Sequence, residues 1–189
     1  VPVNLTTVDA NADPATSVTV RDYTVTYDER IVNPKASVFN VSVLNASSRT
    51  PTGGVVVMSE RRATWSRVFS PGELAFSGRH FVRVGGVGWE ELVYAKRRGW
   101  SARGGGTAYQ VWLRAGGQNW TPAFTSKPAT ADALLAGKNV SVVPERGKFF
   151  LAVTRNGTAL DRVRVPRNNR SVRAGGIGFT RDGTRATAR

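Results

Sequence analysis

From Lys138 to Val165 three β-prone runs of apolar and polar residues are joined by residues that favour turns, the last run returning to a period of two. Asn139-Val140-Ser141-Val142-Val143 is β-prone, Pro144-Glu145-Arg146-Gly147 has the composition of a tight turn, and Phe149 to Arg155 is β-prone again. Asn156-Gly157 supplies the two left-handed positions of a two-residue hairpin, and Thr158 to Val165 alternates back. This stretch predicts a β-meander.

The rest of the chain follows the same period. Val18 to Tyr27 changes phase between Val20 and Tyr23, which requires a bulge near Asp22 or burial on both faces. Val38 to Leu44 alternates cleanly, and Val55-Val56-Val57-Met58 is an unbroken apolar run of the central-strand type. Glu60 to Phe69 is ambiguous, because Trp65, Val68 and Phe69 also fit helical spacing. Glu73 to Phe76 is a candidate short strand, followed by strands over Arg79 to Val84, Val87 to Lys96 and Thr107 to Arg114. In the last of these Tyr109, Val111 and Leu113 form the burying face, leaving Trp112 beside Arg114 on the other. Trp120 to Pro128 reads as irregular and Ala129 to Ala136 as a second candidate helix stopped by Gly137. Gly178 to Arg181, an Asp182-Gly183 turn and Thr184 to Thr187 form a closing hairpin, expected at an edge because its return strand has no large apolar residue.

Arg83-Val84-Gly85-Gly86-Val87-Gly88-Trp89 is echoed by Arg173-Ala174-Gly175-Gly176-Ile177-Gly178-Phe179. Each copy predicts strand, glycine turn and strand, with Gly85, Gly86 and Gly88 or Gly175, Gly176 and Gly178 in the turns, as Gly157 and Gly183 are in theirs. The copies either mark equivalent places in two half-domains, 18–114 and 115–189, or coincide by chance in a chain with 20 glycines. Residues 1–17 read as a flexible arm or linker ahead of one β-rich domain over 18–189. The expected fold class is all-β, an antiparallel two-sheet sandwich or β-meander-rich domain with at most one or two short helices.

Charge adds a functional dimension. The chain carries 27 basic and 13 acidic residues, a formal net charge of +14, which attracts nucleic acid, anionic lipid or an acidic cell-surface polymer. Arg61, Arg62 and Arg67 around Trp65, and Lys96, Arg97, Arg98 and Arg103 around Trp100, are the candidate polyanion-binding residues, since arginine beside an aromatic ring grips phosphate or sulfate. Nucleic acid ranks below a cell-surface glycan as partner because no nucleic-acid-binding motif is present. Asn-x-Ser/Thr occurs at Asn4, Asn40, Asn45, Asn119, Asn139, Asn156 and Asn169, a density that points to export and glycosylation. There is no cysteine, which excludes disulfides and thiolate chemistry, and no apolar run approaches a membrane span. A start at Val1 reads as a fragment or processed product.

Catalytic chemistry is thinly represented. A triad would need His80, the single histidine, with Ser77, Ser101 or Ser126, none in a nucleophile-elbow motif. Glu60, Glu73, Glu90, Glu91 and Glu145 are candidate carboxylates for glycoside chemistry, each with arginines nearby to offset it. No metal ligand set and no cofactor motif is expected.

Asp22 to Tyr27, Gly54 to Val57, Glu73 to Arg79, Val82 to Trp89, Gly99-Trp100-Ser101, Gly106 to Tyr109 and Pro128 to Asp132 together resemble the soluble extracytoplasmic extension of rhomboid-type intramembrane serine proteases of halophilic archaea. That resemblance implies an outward-facing accessory domain, tethered to a membrane through parts outside this chain. In those proteases the serine and histidine lie on transmembrane helices, so no catalytic role carries over. The expected function is a non-catalytic exported or cell-surface accessory domain, capable of assembly at that surface. The alternatives are a polyanion-binding module and the soluble part of a membrane serine protease.

Overall fold

The computed structural model describes residues 17–28, 53–59 and 61–189, the Trp65 side chain excepted. The strand expected at Val38 to Leu44, Glu60, and the acceptors Asn4, Asn40 and Asn45 lie outside the described residues. Strands β1 (Val18–Val20), β2 (Tyr23–Asp28), β3 (Gly54–Ser59) and β4 (Thr64–Phe69) form one sheet in that order, with the valine run of β3 inside it as expected. The phase change between Val20 and Tyr23 is a hairpin and not a bulge: Val20 pairs with Tyr23, and Arg21 takes a φ of 51° in the two-residue turn. The ambiguous segment resolves as β4, paired with β3.

The candidate strand at Glu73 is instead helix α1 (Pro71–Ser77). Ser70-Pro71-Gly72-Glu73 forms a capping box with proline in the first turn, so the Ser70 hydroxyl accepts from Glu73 N while the Glu73 carboxylate accepts from Ser70 N. Local capping overrides alternation there, and Leu74 anchors the turn as its buried residue.

The second sheet holds β5 (Arg79–Gly86), β6 (Trp89–Ala102), β7 (Gly106–Ala115) and β8 (Thr121–Thr125) in sequence order. Here β6 runs through Arg97-Arg98-Gly99-Trp100, which alternation had placed in an exposed hairpin end, and β8 occupies a segment expected to be irregular. Strand β7 is buried on both faces, Gln110 and Trp112 included.

In the third sheet, β9 (Ala129–Thr130) and the meander β10 (Asn139–Glu145), β11 (Lys148–Arg155) and β12 (Thr158–Arg164) lie in the order β12-β11-β10-β9. The expected helix at Ala129 to Ala136 is absent: Leu135 bridges Lys138 across a left-handed Ala136-Gly137 turn. Pro144 lies within β10, beyond the reach of β9, which pairs only with Ser141 and Val142; a residue without an N–H is tolerated where one flank is open. The Asn156-Gly157 turn forms as expected, with φ of 48° and 78°. The fourth sheet is β13 (Arg170–Ala174), β14 (Ile177–Asp182) and β15 (Arg185–Ala188), with β15 at its edge and the turn one residue later than expected, at Gly183-Thr184.

The two glycine motifs fold in different registers. Ala174 pairs with Ile177 across Gly175-Gly176, both at positive φ, so the turn occupies the double glycine and Gly178 lies in β14. Gly86 pairs with Trp89, so the turn is Val87-Gly88, and Gly85 and Gly86 are strand residues. A Cβ on Gly86 would stand 2.6 Å from Trp89 Nε1, so that glycine makes room for an indole and bends nothing.

The described chain forms two compact units, one built from residues up to Arg97 with Val111–Phe124, the other from Arg98–Gln110 with Thr125–Arg189. In the second unit Ala108, Ala129, Val142, Leu151, Val153, Ala174, Ile177 and Phe179 make one core, drawn from the meander, β7 and the β13–β14 hairpin.

Candidate polyanion-binding face

In the first unit, β5 and β6 pair with Arg79 opposite Lys96, Phe81 opposite Tyr94 and Val82 opposite Val93. Val84, Val93 and Ala95 are buried, so the opposite parity carries Arg79, Phe81, Arg83, Tyr94 and Lys96 on the other face. On β7, Val111, Leu113 and Ala115 are fully buried, and Trp112 and Arg114 have the other parity.

There cations and rings alternate in a ladder. Arg114 stacks on Tyr94 and on Trp120, its guanidinium carbon 4.9 Å from each ring centre, and Lys96 Nζ lies 4.1 Å from Trp120 and 5.2 Å from Trp112. Each such contact contributes about 0.5–1 kcal/mol when exposed and about 2 when desolvated. Among the described residues, Arg114 Nε is buried without a hydrogen-bond acceptor. Phe81 extends the aromatic edge, 6.3 Å from Tyr94 and 56% exposed. Arg83 pairs with Glu90 at 3.8 Å, whereas Arg79 enters no ion pair among the described residues. Arg79 stands directly opposite Lys96 across the strand pair, so two cations share this face.

The Trp65 side chain lies outside the described residues, and the residues expected around Trp100 occupy separate surroundings. Arg62 donates from Nε to Asp22 at 2.6 Å and stacks on Tyr23 at 5.0 Å, while Arg61 and Arg67 stand exposed in the turn before β4 and on β4 itself. Lys96 joins the ladder, and Arg97 has the inward parity and is half-buried. Arg98 and Arg103 are exposed, but Trp100 packs against the second unit's core with Arg181 over its ring at 5.0 Å. Trp112 beside Arg114 was legible from alternation. Arg79, Phe81 and Tyr94 carried the same period-two signal, and Trp120, in a segment without periodicity, carried none. Asn119, Asn156 and Asn169 are exposed and Asn139 is half-buried.

His80 stacks on Phe69 with ring centres 4.5 Å apart. The Ser77 hydroxyl donates to Glu73 and Arg79 carbonyls, Ser126 binds Tyr109 N and Lys127 O, and Ser101 bonds Thr107. Among the described residues no group of three or more acidic or histidine side chains could hold a metal ion. No helix among them is long and apolar enough to cross a membrane. No protein-family model, curated protein or solved structure matches the chain.

Three carboxyls titrate below their ordinary values: Asp22 through its hydrogen bond from Arg62, Glu73 through the Ser70 backbone N–H, and Glu145 through Arg162. Lowered folded-state values mean that the unfolded chain binds more protons in acid. Their stabilisation is therefore complete above the unfolded values, about pH 4, and is lost as pH falls through the lowered ones. Melting temperature is expected to drop as pH falls from about 5 to about 2, from about one unit above to about two below the unfolded values, at constant ionic strength, with a shallower drop in Asp22→Asn. An unchanged melting temperature over that range would contradict the assignment.

Proposed function

We propose that this chain is a non-catalytic, exported accessory module that holds an anionic cell-surface polymer on the β5-β6-β7 face. The observation that carries this reading is Arg79 opposite Lys96, with Lys96 and Arg114 held in the aromatic ladder. The rings fix the two charges in place, which lowers the entropy lost when an anion binds. They also favour a sulfated or carboxylated glycan over single-stranded nucleic acid. Base stacking needs open ring faces, and here Tyr94, Trp112 and Trp120 already carry cations, leaving Phe81. Export is supported by the acceptor density and by three exposed acceptors.

Titration with heparin and with oligo-dT across a salt series tests the proposal. Heparin should bind more tightly, and Lys96→Gln with Arg114→Gln should reduce the slope of log K against log salt by about 2. Arg79→Ala leaves the ladder intact and should weaken binding several-fold on its own. Native affinity in both variants, or tighter binding of oligo-dT, would overturn the reading.

A further inference from the structure

We propose that the outer edge of β5 accepts an extended acidic peptide as an added strand. β5 stands at the end of its sheet and pairs with β6 alone. In an antiparallel pair, successive residues turn their backbone groups alternately toward the partner strand and away from it. Arg97 N donates to Gly78 O at 2.9 Å, so the pair Gly78 and Arg97 faces inward, and with it His80, Val82 and Val84. The odd-numbered residues then face outward, and their carbonyls agree: Arg79 O accepts from the Ser77 hydroxyl and Gly85 O from the Tyr23 hydroxyl, each at 3.1 Å and neither from β6. Between these two ends the N–H and C=O of Phe81 and Arg83 point out of the sheet edge and meet no partner among the described residues.

An unpaired edge is a template for another strand, with backbone hydrogen bonds giving affinity and alternate side chains giving specificity. Arg79, Phe81 and Arg83 share one parity, lie on one face and are all exposed. A guest strand sets one residue directly opposite each of them, and opposite charges in such pairs stabilise. The fitting guest therefore reads acidic, any residue, apolar, any residue, acidic. The carboxylate already near this row is Glu90, 3.8 Å from Arg83, and both partners of that pair are exposed, so it contributes little and yields to an incoming acid. A second copy of β5 fits badly, because antiparallel pairing centred on Phe81 would set Arg79 against Arg83 at both ends. The arginines that keep the edge from pairing with itself thus select an acidic strand. Neither Lys96 nor Arg114 takes part, so this site does not depend on the glycan reading.

Fluorescence anisotropy with a labelled peptide containing Glu-Thr-Val-Thr-Glu between neutral flanks tests the proposal. The peptide should bind saturably, and its counterpart with lysine in place of both glutamates should not. N-methylation of the two glutamates and the valine keeps the charge but removes the donors that face β5, and should weaken binding by about fivefold or more. On the protein, Phe81→Pro removes an N–H that bonds nothing in β6, and proline is tolerated on an edge strand, so it should weaken binding beyond Phe81→Ala. The methylated peptide decides the question even if Phe81→Pro lowers the melting temperature. Equal binding of methylated and unmethylated peptides would show attraction by charge alone and overturn the proposal, as would loss of the peptide in Lys96→Gln with Arg114→Gln. Peptide binding that is sensitive to methylation in a protein that fails to bind heparin would sustain the edge site and remove the glycan reading.

Discussion

Gly105→Ala is expected to destabilise the protein by about 3 kcal/mol or more, because the new methyl would collide with backbone and not with a movable side chain. A Cβ at Gly105 would stand 1.4 Å from the Thr130 carbonyl oxygen, and the turn after β6 is tied to the same segment by Asp132 N donating to Arg103 O at 3.1 Å. Relief requires the turn to lift from β9, which gives up that hydrogen bond and opens the core beside Ala108 and Ala129. Gly117→Ala is the control: nothing lies within 4 Å of its Cβ position, and about 0.5 kcal/mol or less is expected. Denaturant midpoints of the two variants measure the difference, and equal midpoints would refute the close approach.

Phe179→Ala should cost about 3–5 kcal/mol, the range for a buried phenylalanine whose cavity cannot collapse. Phe179 is 2% exposed, inside the core that the meander and the β13–β14 hairpin share. Trp89, its counterpart in the earlier glycine motif, is half-buried between Arg21 at 4.3 Å and the bare backbone of Gly86. Trp89→Ala should therefore cost less than Phe179→Ala, although indole is the larger ring. The same chemical denaturation experiment compares them, and the reverse order would show that the two motifs are packed alike.

These two positions also show what could be read in advance. Alternation found the meander, the central valine strand and the pairing of Trp112 with Arg114 on one face, because side-chain period is a local property of extended backbone. It misjudged Glu73, where a proline and a reciprocal cap outweigh three apolar residues, although Ser70-Pro71-Gly72-Glu73 carried that signal in plain form. It misplaced Arg97 to Trp100 because glycine at position 99 looked like a loop residue. In the fold that glycine lets Tyr109 approach: a Cβ there would lie 2.9 Å from the Tyr109 Cβ.

Composition and periodicity determined by themselves that this chain is built from antiparallel strands, where Asn156-Gly157 reverses it, that β15 is an edge, and that the surface is cationic. Only the tertiary structure decided which glycines bend and which make room, that Arg62 belongs to Asp22, and that Trp120 reaches back between Lys96 and Arg114. The division is physical. Strand period and turn chemistry depend on neighbours along the chain, whereas ring-on-cation stacking and backbone-on-backbone approach depend on residues that only folding brings together.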